Sequence, residues 1–112
     1  MSEENQIQVP ESFLNLFQAP GGRRLIRGRL GIIARYELCE DLAQALIEPS
    51  RSVFWSMNLA EDVVLERTLQ GLLQAESGEP LSTLEAWWVV RRLCELLDWP
   101  ETACPPAPDR TA

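Results

Sequence analysis

The sequence predicts an all-α fold, a small bundle or orthogonal array of four to five helices with flexible termini. Three observations carry that reading. Apolar residues recur at i, i+3, i+4 through four separate segments and nowhere alternate as a strand would require. Proline and glycine stand between those segments, at 20–22, 49, 78–80 and 100, where helices end or begin. One segment, PLSTLEAWWVVRRLCELLDWP, opens on the S-x-x-E spacing of a capping box and then meets no breaker until its closing proline.

Residues 1–9 are polar and acidic and predict a flexible tail. Pro10 suits a first helical position and Glu11 the positive end of the helix dipole. Phe13, Leu14, Leu16 and Phe17 have helical spacing, so a short helix is expected over 10–19, stopped by Pro20-Gly21-Gly22. The next helix is expected over 23–47, its apolar side built from Leu25, Ile26, Leu30, Ile32, Ile33, Tyr36, Cys39, Leu42, Ala43 and Leu46. Gly28 and Gly31 each cost about 1 kcal/mol in a helix interior. They mark a bend, a close crossing, or a true start near Arg29. Pro49 is read as its stop.

The stretch 50–58, SRSVFWSMN, gathers Val53, Phe54, Trp55 and Met57 beside a turn. One reading makes it a single helical turn plugging the core; the other makes it an exposed lip, since Trp and Met suit adaptable interfaces. Asn58 with Glu61 then has the spacing of a helix start, and a helix to about residue 76 follows. Leu65, Leu69, Leu72 and Leu73 form its main stripe, with Gly78 as its stop. The last helix is expected over 83–98. The domain therefore runs over 10–99, and ETACPPAPDRTA, with three more prolines after Pro100, predicts an extended tail over 100–112.

That last helix is apolar on more sides than a surface helix needs. Ala86, Val90, Leu93 and Leu97 make one stripe; Leu84 and Trp88 begin a second that runs into Arg91, Arg92 and Glu95. Trp87 and Trp88 point about 100° apart. Trp and Arg are enriched at binding hot spots. The partner-binding candidates are therefore Trp88, Arg91 and Arg92, with Phe54 and Trp55 in reserve, and Trp87 is assigned to the core.

Composition narrows the chemistry. The 112 residues suit one domain, and 46% hydrophobic content argues against general disorder. There is no histidine, which removes Ser-His-Asp and Cys-His triads, histidine metal sites and histidine bases. All ten basic residues are arginine, so no Schiff-base or P-loop lysine exists. Glu61, Asp62 and Glu66 are explained by a helix amino end without a metal. No catalytic residue, metal or cofactor is expected. Cys39, Cys94 and Cys104 are odd in number and lack C-x-x-C spacing, which fits idle thiols in a reducing compartment. The polar, acidic amino end is unlike a signal peptide and no apolar run approaches the roughly 20 residues of a membrane span, so a cytoplasmic location is expected. Arg23, Arg24, Arg27, Arg29 and Arg35 form an acid-free basic segment within a chain of net charge −7. That balance disfavours nucleic acid and suits a solvated face or an intramolecular charge match.

Two classes remain: a protein-docking regulator or adaptor, and a helix-turn-helix DNA-binding regulator. The second needs a basic recognition helix, and the Trp-bearing helix mixes Arg91 and Arg92 with Glu85, Glu95 and Asp98. The segments GRLGIIARYELCEDLAQALIE, NLAEDVVLERTLQGLLQAES and LSTLEAWWVVRRLCELLDW, within residues 10–100, resemble the QslA-type anti-activators of bacterial quorum sensing. The resemblance implies an all-helical homodimer. It also implies a LuxR-type transcription activator such as LasR as partner, bound at its ligand-binding domain so that dimerisation and DNA binding are blocked. It assigns no interface residue. A small helical adaptor or chaperone of a secretion or regulatory complex is the alternative.

Overall fold

The computed structural model describes residues 8–17, 29–75 and 80–108, and every regular element among them is helical. In chain order these are α1 (Glu11–Leu14), continued by a 3-10 turn (Asn15–Phe17), then α2 (Arg29–Ala45), α3 (Ile47–Met57), α4 (Glu61–Gln74) and α5 (Thr83–Leu97), with a second 3-10 turn at Glu101–Ala103. The Pro20-Gly21-Gly22 and Gly78 stops, the arginines at 23, 24 and 27, and the expected helical stretch 23–28 lie outside the described residues.

The chain divides into two units, one ending at Leu38 and the other beginning at Cys39. In the first, Phe13 is wholly buried. Its ring packs on Phe17 at 5.3 Å and edge-on against Tyr36 of α2 at 5.6 Å. A helix as short as α1 has no stability of its own and holds its shape through such aromatic contacts.

The second unit is built on α5. Ser82 accepts from the Glu85 backbone N–H (3.0 Å) and its own N–H donates to the Glu85 carboxylate (2.9 Å), so the capping box closes both ways. Eight residues of α5 are buried, among them Ala86, Val90, Leu93 and Leu97 of the expected stripe. Val90, Leu93, Cys94 and Leu97 form one core cluster with Leu65 of α4 and Ala103; Leu46, Ile47, Leu69, Leu72 and Trp99 close over it. Along α4, Leu65 is wholly buried while Leu73, expected in the same stripe, is 39% exposed.

Four local expectations are corrected. Pro49 lies in the first turn of α3, four residues past the end of α2, rather than in a break between helices. The first turn has no intrahelical use for a proline's missing N–H, so the residue that stops one helix also starts another. The 50–58 stretch is therefore the body of a three-turn helix and not a single plugging turn. Asn58 ends α3 in the left-handed conformation (φ 54°, ψ 44°), and Ala60 is the N-cap of α4. Asn is among the few non-glycine residues that enter that region readily. The carboxyl-terminal segment is not simply extended: residues 101–103 make a 3-10 turn and Ala103 is buried.

Candidate protein-docking site

At the end of α3 the two reserve candidates take different roles. Trp55 is 78% exposed and Met57 53%. Phe54 is half-buried, meets the Trp55 ring edge-on at 5.5 Å, and packs on Trp99 at 5.1 Å. Trp99 in turn rests on the core cluster. Phe54, held by Trp99, thus backs the outward Trp55, and Asn58 ends the helix three residues on. A large aromatic held from behind and open in front loses little side-chain freedom on docking. Glu48 and Arg51, paired at 3.2 Å, supply charge on the same helix.

On α5 the tryptophan assignment is reversed. Trp88 is only 4% exposed and is a core residue. Its side of the helix, shared with Glu85 and Val89, is buried together with the Ala86–Val90–Leu93 stripe, so the buried arc is wider than one stripe. Trp87 is the half-buried member. Its indole N–H donates to the Pro105 carbonyl (3.2 Å), and the Arg91 guanidinium lies 5.8 Å from its ring centre.

Neither arginine candidate stands free. Arg91 pairs with Glu101 at 2.6 Å. Arg92 makes a two-pronged bond to Glu40 (2.9 and 3.2 Å) and a further one to Glu95 (3.1 Å). The Glu101 hydrogen bond raises the pKa of Arg91, and the Glu40 bond raises that of Arg92. Burial opposes ionisation of Glu40, but hydrogen bonds from Arg92 and Gln44 outweigh it and hold the carboxyl below its ordinary value. These arginines fasten the second unit internally. As a result Trp88, Arg91 and Arg92 do not gather with Phe54 and Trp55 into one outward patch; only Trp55, backed by Phe54, keeps the geometry of an anchor.

Trp99 stands behind Phe54 and is not singled out from the sequence, whereas Met57 belongs to the 50–58 apolar cluster already read there. Trp99 acts through a chain reversal at Asp98, which no spacing rule reveals. Among the described residues no group of three or more histidine, cysteine, aspartate or glutamate side chains could hold a metal ion, and no helix is long and apolar enough to cross a membrane. Comparison of the chain with protein-family models, with curated proteins and with solved structures finds no match.

Proposed function

We propose that this chain is a protein-binding negative regulator, an anti-activator that docks on a LuxR-type transcription activator and blocks its dimerisation and DNA binding. The observation that carries the docking half is the outward Trp55 near the end of α3, backed by Phe54, which itself packs on Trp99. Solvent-exposed Trp on a rigid helix is the kind of side chain that dominates interface energies. The partner class rests on the resemblance of the three helical segments to QslA-type proteins. In physical terms the task needs no chemistry. An activator that reads two half-sites as a dimer loses most of its DNA affinity when one copy's dimer face is covered, because the second contact is no longer tethered to the first.

The reading needs no cofactor and places the chain in the cytoplasm with its partner. It includes self-association as a homodimer, which sedimentation of the chain alone would detect. The DNA-binding alternative is less well supported, since Arg91 and Arg92 are committed to carboxylates.

The test is to add the purified chain to the ligand-bound, ligand-binding domain of a LuxR-type activator and follow its dimer by sedimentation. The full activator's hold on operator DNA is followed in parallel by anisotropy. The expected result is loss of dimer and release of DNA, with Trp55→Ala weakening the effect at least about tenfold. An activator domain that stays dimeric under excess of the folded chain would overturn the reading.

A further inference from the structure

Just beyond α5 the chain turns back on itself. Asp98 is left-handed (φ 60°, ψ 38°), and the backbone N–H groups of Asp98 and Trp99 donate to the Glu95 and Cys94 carbonyls at 3.1 Å each. The returning segment runs across the Cys94 thiol, which donates to the Pro100 and Trp99 carbonyls at 3.4 and 3.5 Å. The 3-10 turn at 101–103 then brings Cys104 round, its N–H on the Glu101 carbonyl at 3.0 Å. In this way Cys104 comes to pack against the cluster that holds Cys94. Both thiols, with Arg91, Glu95, Trp99 and Glu101, line one cavity of about 120 Å³. Cys94 is 2% exposed and Cys104 half-buried. The spacing of the three cysteines predicts idle thiols; the pairing is made by the chain reversal, which spacing does not show.

We propose that Cys94 and Cys104 form a dithiol redox site, oxidised by a low-molecular-weight disulfide such as glutathione disulfide to an intramolecular disulfide that locks residues 99–105 onto the end of α5. The Cys104 thiolate attacks one sulfur of glutathione disulfide, releasing one glutathione thiolate and leaving a mixed disulfide. The Cys94 sulfur, giving up its proton, then attacks the Cys104 sulfur and expels the second glutathione. Two S–H bonds and one S–S bond are exchanged for one protein disulfide and two glutathione thiols, so two electrons pass from the protein to the oxidant. Burial and the adjacent Cys104 thiol push Cys94 up to about 12. Cys104 is the more exposed of the two, so the incoming disulfide meets Cys104 first and the buried Cys94 resolves it. The locked segment already rests on Glu101–Arg91 and Pro105–Trp87, so closure holds a contact that exists in the reduced chain.

The full-length protein is equilibrated with reduced and oxidised glutathione over a range of ratios, acid-quenched, alkylated in denaturant and cut with trypsin. Fragment 93–110 carries both thiols, and fragment 36–51 carries Cys39 as an internal control. The expected result is a fragment 93–110 that loses two hydrogens and escapes alkylation as glutathione disulfide rises, while 36–51 stays fully alkylated. Oxidation should also raise Tm by about 5–15 °C. Cys104→Ser, which spares the more buried thiol, should abolish both changes. Overturning results are a fragment 93–110 alkylated twice at every ratio, a glutathione adduct on Cys104 that never resolves, or a disulfide that forms without raising Tm.

Discussion

Trp55 and Trp88 are the same residue type in opposite surroundings, and replacing each by alanine separates docking from folding. Trp88→Ala removes a buried ring and should cost about 3–5 kcal/mol in urea unfolding. Trp55→Ala removes a ring that is mostly in water and should leave the unfolding midpoint nearly unchanged. Equal losses for the two would show that Trp55 is a packing residue. The sequence identified both as candidates but ordered Trp87 and Trp88 wrongly. Adjacent side chains about 100° apart can share one wide apolar arc, and what sets Trp87 at its rim is the Pro105 carbonyl, eighteen positions away. Local periodicity carries no information about such a contact. For Trp55 the sequence leaves a core plug and an exposed lip both open, because the cluster Val53, Phe54, Trp55 and Met57 suits either; the three-turn helix sends Trp55 outward and Phe54 in towards Trp99.

At the scale of the helix, the ends and interiors of α4 and α5 make opposite predictions. Ser82→Ala opens one half of the capping box and should lower stability by about 1 kcal/mol, read as a lower urea midpoint at constant m. Gly71 sits inside α4, and a methyl group added there would meet nothing within 4 Å. Gly71→Ala should therefore raise stability by about 1 kcal/mol, through backbone entropy alone. The Glu40–Arg92 bridge ties the last turns of α2 to α5 and makes that tie acid-sensitive. Glu40 has a depressed pKa in the folded chain, so its contribution is complete above the unfolded-state value and is lost as pH falls through the folded one. With the Arg92 side chain a third exposed, screening limits the effect to about 1 kcal/mol. A series of urea titrations from neutral pH into the acid range should show that much less acid dependence in Glu40→Gln. Where helix ends use chemistry specific to one end, as Ser82 and Glu85 do, the sequence was sufficient. Pro49 and Asn58 are tolerated on either side of a boundary, and there the same letters supported the wrong side.

For the whole molecule, the carboxyl-terminal segment decides more than its composition suggests. Its prolines predict a solvated tail, yet Ala103 belongs to the core cluster and Glu101 and Pro105 hold Arg91 and Trp87. Removing residues 100–112 should lower stability by about 2 kcal/mol, from lost apolar burial and one or two hydrogen bonds, and calorimetry should show a fall in Tm of several degrees. A freely solvated tail would leave Tm where it is. The all-helical class was legible throughout, because it depends on period and punctuation repeated over many residues. The carboxyl-terminal return was not, because it rests on one left-handed residue, Asp98, and on side chains that meet only after the chain has folded back.

The uneven exposure of the four tryptophans also gives the molecule an optical readout. Trp55 should emit at the red edge and be the indole most open to a collisional quencher such as acrylamide, while Trp88 should emit at the blue edge and be shielded. A partner that covers α3 would shift the emission to the blue and remove the quenchable fraction. A partner that binds elsewhere would leave the spectrum unchanged. Docking at the end of α3 can thus be watched without a label, with Trp55→Phe supplying the blank.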